Sequence, residues 1–211
     1  SHETLVPSLN GRLALPTDVT LMFAECSGVS NAFYHPPTRQ TIVCYELVDH
    51  VAQVLGPGVE NPRQVADLVI GNVHFVFLHE VGHALIDVLN LPVLGREEDA
   101  ADQLATWLLV SASQRGQRAM LAVARYFAQS KQPGTLWDEH PLDEQRYYNI
   151  LCWLYGQNTQ QNAFLVADHP LPIPRPLPMD RARRCPAEVQ RFQSSLLVSL
   201  TPFLWRGDQP D

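Results

Sequence analysis

The residues of this chain best placed to do chemistry are two histidines four apart with a glutamate beside the first, His79-Glu80-Val81-Gly82-His83. On a helix, positions four apart project from one face about one turn apart. His79 and His83 can therefore bring two imidazoles to one ion, with Glu80 poised over an open coordination position. Such a trio serves metal-assisted hydrolysis, in which the ion acidifies a water and Glu80 takes its proton during attack and hands it to the leaving group. Buried without a partner in an apolar helix, these ionisable groups would cost several kcal/mol, and a divalent cation is the obvious partner.

Two histidines alone make neither a tight site nor a catalytic one, so a third ligand is required. The chain breaks at Leu91-Pro92, and the next helical stretch opens Arg96-Glu97-Glu98-Asp99-Ala100-Ala101-Asp102. A helix that doubles back after a short turn presents an acidic first-turn side chain near the histidines. Glu98 is the expected third ligand, with Asp99 and Glu97 as alternatives; Glu97 itself reads as a negative charge favoured by the helix dipole. Asp102 shares a face with Glu98 and with the small Ala101 and Ala105, which would let two helices approach closely. It is expected to accept the N–H of a ligating histidine and fix its tautomer. Asp87, four residues after His83, is a further candidate for that outer role. A later segment gathers His140, Arg146, Tyr147 and Tyr148. A developing oxyanion needs a donor, and His140 is the first nominee and Arg146 the second. The rival reading of His140 is a loop residue before Pro141, with Asp143 capping the helix that follows, and the two tyrosines read as core and rim aromatics.

These groups need elements to hold them. Apolar residues from Val65 to Val88 recur at spacings of three and four, which predicts one long, mostly buried helix from Pro62 to about Asn90, restarted by Asn61-Pro62 and ended by Leu91-Pro92. Before it, Leu13 to Glu25 and Thr41 to Glu46 carry β-favouring runs with turn signals between them, enough for two or three strands, and Leu47 to Leu55 reads as a short helix. After it come helices over about Arg96 to Ser113, Gln117 to Gln129, and Asp143 to Tyr155 closed by Gly156. His169 to Pro178 has a proline at every second position and is expected to run extended as a strap. Pro186 to about Leu200 is a last helix. No internal repeat appears. The expectation is one domain over residues 1–211, α+β and helix-rich, with a small N-terminal sheet.

Composition narrows the partners. With 22 acidic against 15 basic residues and no basic block, the chain lacks the footprint of a nucleic-acid binder. The longest apolar stretch, Val73 to Leu89, is interrupted by His74, His79, Glu80, His83 and Asp87, which argues against a membrane span. At 211 residues the chain can build a core without a metal as scaffold, so a metal here would serve chemistry. The four cysteines, Cys26, Cys44, Cys152 and Cys185, form no CxxC pair. Their even count, split between the two ends of the chain, suggests Cys26–Cys44 and Cys152–Cys185 disulfides and an oxidising compartment, periplasmic or exterior, the rival reading being four buried free thiols in a cytosolic protein. A chain starting at Ser1 fits the loss of a signal peptide.

The pattern His79-Glu80-Val81-Gly82-His83 followed by Glu98-x-x-Ala101-Asp102 resembles that of the gluzincins, HExxH with a later E-x-x-A-D or E-x-x-x-D. More narrowly, the chain resembles an uncharacterised bacterial putative metallopeptidase family, a domain of unknown function. The likeness rests on Asn31 to Tyr34, Cys44-Tyr45-Glu46, His79 to Asp87, Leu91 to Asp102, and His140 with Arg146 to Cys152. The resemblance implies a zincin-like fold and a zinc peptidase acting on peptide or protein substrates: His79, His83 and Glu98 as ligands, Glu80 as base, Asp102 behind the ligands. It also favours Zn2+ over manganese, iron or cobalt, which the ligand types do not separate. Three rivals are a deformylase-type site with Cys44 as third ligand, an inactive zincin-fold binding module that keeps the metal, and a structural zinc site closed by a fourth protein ligand.

Overall fold

A computed structural model describes residues 2–112, 114–130, 135–166 and 173–204. The chain is helix-rich α+β, with eight α-helices and one three-stranded sheet among the described residues. Strands β1 (Thr20–Ala24), β2 (Ala32–His35) and β3 (Gln40–Cys44) lie in the order β1-β3-β2, with β3 parallel to β1 and antiparallel to β2. β2 is thus an edge strand. The β-favouring run from Leu13 yields a strand only from Thr20; Leu13 itself makes an isolated bridge to Leu204. Two α-helices have no counterpart in the sequence reading: α1 (His2–Asn10), which carries Pro7 in its interior, and a single turn over Met179–Ala182.

Helix α2 (Tyr45–Leu55) follows β3 directly, and α3 (Pro62–Val88) is the 27-residue axis of the molecule. Its start is written in Asn61-Pro62: the Asn61 side chain accepts the Arg63 N–H at 3.0 Å, and Pro62 needs no donor at the first position. Its end is equally local. Asn90 takes the left-handed conformation (φ +50°), its N–H bonding Asp87 O and that of Leu91 bonding Ile86 O. This closing motif satisfies the last carbonyls and reverses the chain. α3 is apolar on nearly every side because it packs against α2, α4 (Glu97–Ala112), α5 (Gln114–Gln129), β2 and β3. By length and composition it would also pass for a membrane span, but 67% of its most apolar window is buried inside the fold.

The close approach of α3 to α4 depends on Gly82. A Cβ there would stand 3.0 Å from Ala101 Cα and 3.2 Å from its Cβ. The small residues thus set the distance at which the HExxH face meets α4.

α6 (Asp143–Gln157), the single turn α7 (Met179–Ala182) and α8 (Cys185–Leu200) complete the described helices. Gly156 does not close α6. It sits inside the helix, where a Cβ would lie 2.5 Å from the Cys185 carbonyl oxygen, so it serves close packing rather than termination. Cys152 and Cys185 form a disulfide across this contact, and Cys26 and Cys44 form the other, with Cα separations of 5.2 and 5.5 Å. Of the proline-rich stretch, residues 169–172 lie outside the described residues, as does Ser113. Residues 173–178 adopt neither helix nor strand, and Ile173 and Leu177 are buried in the main core.

Candidate metal centre

α3 brings His79, Glu80 and His83 to its buried side, and α4, returning antiparallel after the turn at Asn90, brings Glu97, Glu98 and Asp102 against them. His79 Nε2 lies 3.1 Å from His83 Nε2 and 3.1 Å from Glu98 Oε2, and His83 Nε2 lies 3.3 Å from Glu98 Oε1. His79, Glu80, Glu98 and Asp102 are all buried.

The histidine tautomers follow from their partners. His79 Nδ1 faces Asp102 Oδ1 at 2.8 Å, and His83 Nδ1 faces Glu97 Oε1 at 2.7 Å. Carboxylates only accept, so both Nδ1 atoms carry the proton, and both neutral rings turn an Nε2 lone pair toward the other and toward Glu98. Glu98 Oε2, although near two imidazoles, has no properly directed hydrogen bond and is buried. Lone pairs converging on one another demand a cation. The three separations also match the edges of a tetrahedral shell with bonds of about 2.0–2.1 Å, whose ligands stand about 3.3 Å apart. By this donor chemistry the residues fit a divalent metal. Without one, protons hold the cluster together. Burial alone would depress the His79 pKa, but the Asp102 and Glu98 carboxylates push it up to about 9; burial raises the Glu98 carboxyl, but the nearness of the two histidines outweighs it and holds the group well below the usual carboxylate range.

Asp102 is itself held from behind. Arg146, from α6, donates from Nε to Oδ2 at 2.8 Å and from Nη2 to Oδ1 at 2.6 Å, and its guanidinium lies 4.3 Å from the centre of the Phe127 ring. Burial raises the Asp102 carboxyl, but Arg146 and His79 outweigh it and keep the group ionised. Arg146 therefore points at Asp102, whereas His140 reaches the cluster directly, its Nε2 3.1 Å from Glu98 Oε2. The Asp138 carboxylate accepts from the His140 backbone N–H at 2.9 Å and lies 3.1 Å from its Nδ1. His79, Glu98 and His140 each offer a ligand atom within 4.8 Å of the others.

Glu80 lies beside the cluster, its carboxyl pushed up chiefly by burial and drawn down by the two histidines and the Tyr34 backbone N–H. It borders a cleft of about 440 Å³ whose other walls include Asn31 to Tyr34, His83, Glu97, Glu98 and His140. The β2 edge runs along this cleft, pinned to α3 where Tyr34 donates to Asp87 Oδ2 at 2.7 Å.

Most nominated residues thus meet in one place. The exceptions are Asp87, which engages Tyr34 rather than a histidine, and Tyr147, whose hydroxyl bonds the Arg175 backbone. Cys44 is closed off by its disulfide, which leaves no thiolate for a deformylase-type site. Sequence reasoning missed Glu97 as the partner of His83, Asp138 as the partner of His140, and the Arg146–Asp102 fork. The only signals available were the doubled acid Glu97-Glu98 and the short spacing from Asp138 to His140.

A helix-rich α+β chain that turns two imidazoles and a carboxylate toward one point, beside an edge strand and a buried glutamate, has the parts of a metal-dependent hydrolase. The chain matches the family described as putative metallopeptidase over residues 1–199, and it belongs to that family. No curated protein and no solved structure matches it.

Proposed function

We propose that this protein is a zinc-dependent peptidase of zincin type, a single domain over residues 1–211, exported to the periplasm or the exterior. The observation that carries the reading is the convergence of His79 Nε2, His83 Nε2 and Glu98 within 3.1 to 3.3 Å of one another, while each histidine Nδ1 is taken by a carboxylate of α4. His79, His83 and Glu98 would hold the metal, which when bound acidifies a water and polarises the scissile carbonyl. Glu80, whose carboxyl burial pushes upward, suits a group that takes a proton from that water and carries it to the leaving amine. His140, oriented by Asp138, is the donor for the developing oxyanion. Asp102 fixes the His79 tautomer, and Glu97 does the same for His83. An extended peptide added along β2 would gain backbone hydrogen bonds that tolerate many sequences. Two disulfides support an oxidising compartment.

The test is Glu80→Gln. Zinc content measured by elemental analysis should stay near one per chain while cleavage of a peptide library disappears; retained turnover would remove Glu80 from its role. One observation favours a second reading, a closed structural zinc site: His140 stands close enough to serve as a fourth ligand. That reading predicts metal loss in His140→Ala, whereas the peptidase reading predicts metal retained and turnover lost.

A further inference from the structure

The segment from Cys26 to Asn31 joins β1 to β2, and from Ser27 to Asn31 it is exposed. It turns through left-handed backbone at Ser27 (φ +55°) and Gly28 (φ +87°). Its anchors come from the junction of β3 and α2. Glu46, in the first turn of α2, accepts the Cys26 N–H at 2.9 Å and the Gly28 N–H at 2.8 Å, both on Oε1. The Ser30 hydroxyl donates to the Glu46 carbonyl at 3.1 Å, and the Cys44 N–H donates to the Asn31 carbonyl at 3.1 Å. The Cys26–Cys44 disulfide closes the same junction. The Gly28 N–H, then the backbone N–H of Glu46 itself, hold the Glu46 carboxyl below the usual carboxylate range, so the acceptor stays ionised. We infer, resting on the peptidase reading, that Glu46 is a positioning residue for substrate: with the Cys26–Cys44 disulfide it clamps the near end of β2 where an extended peptide must pair.

The clamp adds little to the core. No residue from Ser27 to Asn31 belongs to either hydrophobic cluster, and hydrogen bonds on an exposed loop contribute modestly to stability. Cys152–Cys185, by contrast, joins two helices inside the main core. What the segment controls is the start of β2. Asn31 and Ala32 line the cleft together with Glu80 and His140. The bond from Cys44 to Asn31 also sets which backbone groups face outward. Antiparallel pairing alternates, so Phe33 and His35 turn theirs toward β3, and Ala32 and Tyr34 turn theirs to the open edge. The far end of this edge is held to α3 by Tyr34 and Asp87, and the near end by the clamp. The clamp is also separate from the metal centre, whose ligand candidates stand on α3 and α4. Tyr34, whose N–H faces Glu80, keeps its own pin, so loosening the clamp spares the proton carrier. Its loss therefore falls on substrate affinity, not on the metal or the chemical step.

The experiment compares Glu46→Ala with Glu46→Gln in the full chain. Oε1 alone takes both N–H groups, so glutamine keeps the two bonds and drops only the charge, whereas alanine drops both. In the metal-free protein, Glu46→Ala should shift the NMR amide signals of Asn31 and Ala32 and speed their hydrogen exchange at least about tenfold, and Glu46→Gln should recover most of both. Unmoved Asn31 and Ala32 signals in Glu46→Ala would overturn the inference, whether or not the protein is a peptidase. With zinc bound, KM for a peptide that the parent chain cleaves from a mixture-based library should rise at least about tenfold in Glu46→Ala, while kcat and zinc affinity by chelator competition stay within about twofold. Glu46→Gln should restore most of the KM. An unchanged KM, a fall in kcat alone, or a joint loss of zinc affinity and melting temperature would overturn the inference and leave the peptidase reading intact. If Glu46→Ala does not fold, Ser30→Ala removes a single bond and should give the same shifts at about threefold; no shift there overturns the clamp. Absence of cleavage by the parent chain counts against the peptidase reading instead, and the exchange measurement then decides the clamp by itself.

Discussion

Replacing Arg146 with glutamine removes two charge-assisted hydrogen bonds, of 2.8 and 2.6 Å, from a carboxylate that is 1% exposed. Breaking a buried ion pair by deleting one partner costs about 3–5 kcal/mol, because the remaining charge is neither solvated nor paired. Burial already pushes the Asp102 carboxyl upward, and Arg146 is the largest opposing influence, so Asp102 in Arg146→Gln is expected to relax by taking a proton or turning away. Either response loosens its acceptance of the His79 Nδ1–H. Disturbing such a supporting partner costs about 10–100-fold in metal affinity. Two assays separate the effects: denaturant unfolding of the metal-free protein gives the stability loss, and chelator competition gives the zinc dissociation constant. Arg146→Lys, which offers a point charge instead of a fork, should recover part of the stability but little of the affinity. If Arg146→Gln binds zinc as tightly as the parent protein while losing stability, the chain Arg146–Asp102–His79 is merely structural and the reasoning fails.

Three further outcomes follow from the same structure. In the metal-free protein the His79 pKa stands at about 9, above its unfolded value of about 6.5, so its stabilising contribution is complete below pH 6.5 and is lost as pH rises through 9. Zinc must displace that proton, so its affinity should rise at least about tenfold per pH unit from 7 toward 9 and then level; a flat profile by chelator competition would refute the pairing of His79 with Asp102 and Glu98. Gly82→Ala forces its new Cβ against Ala101, at 3.0 Å from Cα. The crowding costs about 1–3 kcal/mol, offset by roughly 1 kcal/mol of helix propensity, and should also weaken zinc by shifting Glu98; melting and zinc affinity both unchanged would show that the two helices are not held at that distance. The disulfides span 18 and 33 residues. Chain entropy puts their removal at about 3 and about 4 kcal/mol, so denaturation with reductant should show a loss of that order, and a loss under about 1 kcal/mol would contradict it.

What the sequence made legible was whatever neighbours along the chain decide. The α3 boundaries follow from Asn61-Pro62 and from Asn90 with Leu91, and the meeting of His79, His83 and Glu98 follows from helical spacing plus one tight reversal. Contacts between distant segments stayed hidden. Tyr34 and Asp87 lie 53 residues apart and Arg146 and Asp102 44 apart, and periodicity reports which face a residue occupies without naming its partner. Arg146 was therefore nominated for a reacting atom, although its guanidinium points away into a buried carboxylate. Gly156 shows the same blindness in another form: a glycine near a helix end reads as a terminator, and only the Cys185 backbone pressed against it reveals why a side chain is excluded.

The hidden contacts are also the ones that make the site specific. An HExxH helix alone would hold two imidazoles free to choose either tautomer and rotate about their side-chain bonds. Here each Nδ1 is claimed by a carboxylate from α4, Asp102 for His79 and Glu97 for His83, and Asp102 is anchored in turn by α6. The two supports to the histidines depend on how far α4 stands from α3, which the Gly82–Ala101 contact sets. The arrangement of the candidate site is therefore a property of the packing between helices. Substitutions at Gly82 or Arg146, neither of which is a proposed ligand, should lower zinc affinity by disturbing that packing.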